Sequence, residues 1–264
     1  MRNARMSFVL LVTVLFVGLC TAVAEPSKKL TQTELDRIVE TEGMRFIHGY
    51  DWRSWVDNCK RRGATDDMFV ATFSKIAQRT MNAEDGSDDA YKCKKSISLI
   101  DEFNTAASNL TTVVQAVKQA KSSRVRSTAV STYYKHTKGT EEYLGFAEDI
   151  LLSASLQPEV EAWVMTGLWH DARENQHKKG NWGERVTTLM RQYVSRDVRG
   201  LDSADEILKW TDASYANSPL RRDIRRRILS PGYREAIDRY RGRSGEGQRI
   251  QMKYRREEEE ENKK

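Results

Sequence analysis

The sequence predicts an all-α chain, and three observations lead there. No stretch alternates apolar and polar residues long enough to build a strand with one buried face. Only four prolines occur, Pro26, Pro158, Pro219 and Pro231, and none lies between Ser27 and Gln157. A proline inside a helix costs ~3 kcal/mol, so prolines confined to segment edges suit continuous helix. Apolar residues recur at helical spacing: Phe69, Phe73, Ile76 and Ala77 share a face, as do Leu110, Val113, Val114 and Val117, and again Val186, Leu189, Met190 and Tyr193. Each helix therefore carries one apolar stripe that must be buried against neighbours.

The first 24 residues read as a secretory signal peptide. Arg2 and Arg5 precede an apolar run from Phe8 to Val17, and Ala22-Val23-Ala24 forms a small-x-small exit before Glu25. The run is shorter than the ~20 residues of a membrane span. Cys20 resembles a lipoprotein acceptor, but Leu19 before it is not small. Cleavage after Ala24 implies a periplasmic or extracellular protein with no transmembrane segment in the mature chain.

The mature chain then reads as helix after helix. Thr31 opens the first, to about Ile47, with Glu34 three residues on as a capping box. The spacing predicts further helices over about 51–62, 65–81, 87–103, 106–121, 124–137, 140–154, 158–176, 182–196, 203–215 and 218–229. Thr140 before Glu141-Glu142 suits the positive end of a helix, and Ser218 before Pro219 is a favoured cap and first-turn pair. Gly63, Gly139 and Gly180 fall in connectors, where a left-handed residue ends a helix. Domain organisation follows: a signal peptide at 1–24, a helical-repeat domain over 25–230, and a charged, flexible tail over 231–264.

The helices come in pairs with a period. Val56, Ala90, Val125 and Val160 occupy like places in successive first helices, 34, 35 and 35 residues apart. That period marks paired antiparallel helices stacked as a short right-handed-type alpha-solenoid, the alternative being an irregular helical bundle. Cys59 and Cys93, the two cysteines of the mature chain, are also 34 apart. An even pair in an exported chain reads as one disulfide between adjacent repeats, the alternative being two buried thiols.

The run Glu161-Ala162-Trp163 with Gly167, preceded by Ala147, Leu151, Ala154 and Pro158, resembles a tetratricopeptide repeat over about 147–193. Thr166 stands where that pattern has Leu, and His170 where it has an aromatic residue. Arg124-Val125-Arg126 through Ala129 looks equally like the opening of a HEAT-type repeat. The resemblance is to alpha-solenoids of this general kind, and it implies a binding scaffold in place of a catalyst.

Candidate chemistry is sparse. His170, Glu174 and His177, at spacings of four and three, share a helix face and are the best metal-ligand set. Lys178 and Lys179 follow and would repel a cation, so no metal and no cofactor are expected. There is no Gly-x-Ser-x-Gly, no Gly-x-Gly-x-x-Gly and no phosphate loop, so no catalytic residue is assigned. The pairs Asp66-Asp67, Asp88-Asp89 and Glu141-Glu142 sit at helix starts, where the helix dipole explains them. An all-helical envelope hydrolase would need a carboxylate in an aromatic-lined cleft. Trp52 and Trp55 with Tyr50, and Trp163, Trp169 and Trp182, form two aromatic groups that read as core before ligand platform.

The net charge of +6 is unevenly placed. Residues 25–220 carry 27 basic and 29 acidic groups, whereas residues 221–256 carry 13 basic and 4 acidic, a net of +9. Arg221, Arg222, Arg225, Arg226 and Arg227 cluster on one predicted helix, with Leu220, Ile224 and Ile228 as its apolar seam. Three functions fit: a non-catalytic scaffold presenting a surface to a protein partner, a module binding an anionic surface or polymer of the envelope through this basic patch, and an envelope hydrolase. Nucleic acid suits the charge but not the export. The patch has a bland reading too, in which its arginines bond to the acidic body and tail.

Overall fold

The computed structural model describes residues 29–43, 52–153, 157–174, 181–196, 199–241 and 245–263. The signal peptide expected at 1–24 lies outside the described residues, as do His48, Tyr50, Ala154, His177 and Gly180. Among the described residues there are thirteen α-helices and no strand, so the chain is all-α. They are α1 (Gln32–Ile38, continued by a π-turn at Val39–Gly43), α2 (Trp52–Arg61), α3 (Asp66–Thr80), α4 (Asp88–Ile100), α5 (Thr111–Gln119), α6 (Ser123–Thr137) and α7 (Glu141–Leu151). There follow α8 (Pro158–Glu174), α9 (Trp182–Val194), α10 (Leu201–Thr211), α11 (Pro219–Leu229), α12 (Pro231–Arg241) and α13 (Glu246–Glu261).

The chain divides into two units, residues 1–68 and 69–264, with the boundary inside α3. In the first unit the capping box forms: Glu34 N donates to Thr31 Oγ1 at 3.2 Å, and Thr31 N donates to the Glu34 carboxylate at 2.9 Å. Leu30 N donates to the Arg62 carbonyl at 2.8 Å, which ties the start of α1 to the end of α2. Gly63 makes the turn after α2 at φ +91°, a left-handed conformation that an L side chain rarely adopts. Leu35, Val39, Val56 and Cys59 are buried.

The second unit is built by alternation. α4 packs on α6, α6 on α8 and α8 on α10, while α5 lies on α6, α7 on α8, and α9 on both α7 and α10. First helices thus meet first helices, and each second helix leans on its own pair or the next. The expected caps Thr140 and Ser218 hold the starts of α7 and α11, and Ser87 and Ser122 cap α4 and α6 in the same way. Asp85 reinforces the start of α6, accepting from Ser123 N at 3.2 Å and from the Ser122 hydroxyl; the Ser122 bond leads in holding its carboxyl below the ordinary range.

The sequence period reappears in the polar ties between helices. Gln78 Nε2 donates to Thr112 Oγ1, 34 residues away; Lys135 Nζ donates to Asp101, also 34; Tyr134 Oη donates to Asp171, 37; and Tyr233 Oη donates to the Arg199 carbonyl, 34. Ala90, Val125 and Val160, the like positions of the period, are all buried. This arrangement is compatible with a helical repeat. Gly167 serves the packing of α7 on α8, since a Cβ there would lie 2.0 Å from Tyr143 Oη.

Two expectations are corrected. Cys59 and Cys93 are both buried and no disulfide joins them. Cys93 instead turns its thiol to the Ala77 carbonyl at 3.5 Å, and burial pushes that thiol up to about 11. Residues 231–241 and 246–261, expected within a flexible tail, form α12 and α13, which pack on each other and on α11. Ile237, Ile250 and Tyr254 supply the buried stripe. Gly247 lets α13 approach α12, where a Cβ would stand 2.5 Å from the Arg234 carbonyl oxygen.

Candidate functional site

Three of the five clustered arginines, Arg221, Arg225 and Arg227, are tied into the fold. Arg225 has only 7% of its side chain exposed and donates to Glu257 at 2.8 Å and to Glu261 at 2.9 Å, both on α13. Arg221 also donates to Glu261, at 2.5 Å. Burial raises the Glu261 carboxyl, but Arg221 and Arg225 more than offset it and hold it below the ordinary range. Arg227 donates to the carbonyls of Val194 and Arg196, satisfying the end of α9. Arg226 is 81% exposed on its side chain and pairs with Asp223, and Arg222 is exposed. The acidic run at the end of the chain thus answers the arginine run before it.

Beneath this clasp lies a buried node. Asp205, fully buried on α10, accepts from Tyr254 Oη at 2.8 Å, from Tyr215 Oη, and from Lys209 Nζ at 3.0 Å. Burial, followed by the Asp205 charge, pushes both tyrosine hydroxyls far above their ordinary range. Gln251 Nε2 donates to the Ile228 and Ser230 carbonyls, closing the end of α11.

His170 and Glu174 are exposed near the end of α8, and His177 lies outside the described residues. No group of three potential metal ligands occurs among the described residues.

The tryptophans correct the sequence reading most. None of Trp52, Trp55, Trp163, Trp169, Trp182 and Trp210 is buried; the buried aromatic residues are tyrosines and phenylalanines. Trp163 is 46% exposed and stands between two depressions of the second unit. The larger, about 510 Å³, is walled by Trp163, Thr166 and Trp169 of α8 and rimmed by Glu159, Asp202, Glu206 and Glu246 from α8, α10 and α13. The smaller, about 190 Å³, is lined by hydroxyls of α4 and α6, among them Ser98, Ser127, Thr128 and Ser131, with Asp101 beside them. The buried stripe of α8 runs through Val160, Val164, Met165, Leu168 and Ala172; Met165 reaches the edge of the larger depression, and Glu159, Ala162, Trp163, Thr166 and Trp169 occupy the other side of that helix.

No basic side chain lines the larger depression among the described residues. Its carboxylates are steadied from outside it. Glu159 pairs with Arg126, Glu206 with Lys209 at 3.0 Å and Lys253 at 2.7 Å, and Glu246 with Arg249 at 2.6 Å. Asp202 accepts from Tyr233 Oη at 3.0 Å. Burial raises the Glu206 carboxyl, but Lys253 and Lys209 outweigh it and hold it below the ordinary range. A glycosidase acid must stay protonated near neutrality, and Glu206 is held in the opposite state.

No protein-family model matches the chain, and neither does any curated protein or solved structure.

Proposed function

We propose that the chain is an exported, non-catalytic scaffold of the alpha-solenoid kind, which holds a protein partner in the groove beside Trp163. The observation that carries this reading is a half-exposed tryptophan between two depressions, on helices whose interiors are otherwise well filled. Large aromatic side chains left at the surface of a groove are the usual anchors of protein interfaces. Paired helices with side-chain ties at a separation near 35 support the scaffold reading. The arginines of α11 contribute to the clasp, which leaves the groove as the better surface for recognition.

The test is a photo-cross-linker placed at Thr166, in the groove, and at Tyr91, an exposed control on α4. A discrete adduct from Thr166 in the protein's own compartment, lost in Trp163→Ala, supports the proposal. Equal adducts from both positions, or an adduct indifferent to Trp163→Ala, defeats it. Export is checked separately by the mass of the mature chain, which should begin at Glu25.

A further inference from the structure

We infer that the partner enters the groove as a cationic segment, with a lysine or arginine side chain laid over Trp163 and its charge among Glu159, Asp202, Glu206 and Glu246. This rests on the groove reading above and names the chemistry of its occupant.

Two independent features point the same way. One is charge: the rim carries four carboxylates, and the bases that pair with three of them, Arg126, Lys209, Lys253 and Arg249, stand outside the residues that line the depression. A tryptophan face is negative, so the same depression offers a cation both a π surface and a carboxylate rim.

The other is the donor and acceptor balance. A hydroxyl has one proton to donate and two lone pairs to offer. Thr166 gives its proton to the Ala162 carbonyl at 2.8 Å, Thr128 to the Arg124 carbonyl at 2.8 Å, and Ser127 to the same carbonyl at 3.1 Å. These hydroxyls therefore present lone pairs outward. With ionised carboxylates, which only accept, the groove on both sides of Trp163 is predominantly an acceptor surface. A guanidinium brings five N–H donors and an ammonium three, with no acceptor. A sugar brings donors and acceptors in similar number, and an anion brings acceptors alone, so both match the surface less well. The larger depression also has the volume of an ordinary ligand pocket, enough for one or two side chains of an extended segment.

The test uses the purified full chain and three blocked pentapeptides: one with two arginines, the same peptide with citrulline in place of arginine, and one with two glutamates. Citrulline keeps the shape and removes the charge. The arginine peptide should bind, the citrulline peptide about tenfold more weakly, and the glutamate peptide not at all. Raising the salt should weaken the arginine peptide. Trp163→Ala should lower its affinity about tenfold. Thr166→Lys, an exposed change that places an ammonium in the groove, should abolish binding while helix content by circular dichroism stays unchanged. Equal binding of the citrulline peptide overturns the inference, as does Trp163-dependent binding of a chito-oligosaccharide in its place. If the arginine peptide fails while the Thr166 cross-link persists, the cationic class falls and the groove reading stands. If that cross-link is absent too, the groove reading itself falls.

Discussion

Replacing Asp205 by leucine should strip the C-terminal clasp of its buried anchor. Leucine fills similar space but accepts no hydrogen bond, so the Tyr215 and Tyr254 hydroxyls lose the carboxylate that now receives them. Both tyrosines are essentially fully buried. A buried donor left without an acceptor costs about 1–3 kcal/mol. Lys209 adds little, because it keeps Glu206 at 3.0 Å and its side chain is 27% exposed. The sum is a loss of ~2–6 kcal/mol, which for a domain of this size is a fall in Tm of roughly 10 °C. Asp205→Asn should cost less, since its side-chain oxygen still accepts from a tyrosine. The assay is urea unfolding followed by circular dichroism at 222 nm. Adding Tyr215→Phe or Tyr254→Phe to Asp205→Leu removes the stranded hydroxyl, and each should restore about 1–2 kcal/mol, although alone each should destabilise. A stability of Asp205→Leu within ~1 kcal/mol of the parent, or no recovery in the double variants, refutes the reasoning.

Four further outcomes are expected. Arg225→Met should weaken the docking of α13 by about 2 kcal/mol, less than a fully buried pair because Glu257 and Glu261 reach solvent; it should appear as faster amide exchange over residues 246–261, and unchanged exchange there speaks against the clasp. Gly247→Ala should destabilise by about 1–3 kcal/mol, because its new Cβ meets the Arg234 backbone and not a movable side chain; an unchanged urea midpoint contradicts the close approach. Cys93 should resist alkylation in the folded protein near neutral pH and react on unfolding, with identical mobility on reducing and non-reducing gels; rapid native labelling argues against its burial. Burial raises the folded values of Tyr193, Tyr215 and Tyr254 above the ordinary tyrosine value of about 10, so their contribution is complete below that pH and is lost as pH rises beyond it. The urea midpoint should therefore hold up to about pH 10 and fall progressively above it, and tyrosinate absorbance should appear together with loss of helix; a midpoint that stays flat above that pH excludes this linkage.

Local signals in the sequence were enough for the helices up to α11. Thr31, Ser87, Ser122, Thr140 and Ser218 cap where short-range chemistry says they should, because a cap needs only the next few backbone amides. The spacing near 35 was legible in like positions such as Ala90, Val125 and Val160, all buried, and it returns in the Gln78–Thr112 and Lys135–Asp101 bonds, which is compatible with a helical repeat. The tail was misread because its stripe is thin. Ile237, Ile250 and Tyr254 lie far apart among many charges, and those charges count as solvated until Glu257 and Glu261 are seen to meet Arg221 and Arg225.

By itself the sequence determined the helical class and the two opposite charge runs at the C-terminal end. Only the tertiary structure decided what these features do. Whether Arg225 is a surface charge or a buried tie depends on where α13 docks, which no spacing within α11 encodes. Whether Trp163 belongs to the core depends on which side of α8 its neighbours cover. Val160, Val164, Met165, Leu168 and Ala172 already complete the buried stripe, so Trp163 is left on the opposite side, where α10 and α13 bring carboxylates from more than 35 residues away. A groove is made by packing several distant segments together, and that long-range choice is the part of the protein that local sequence chemistry does not contain.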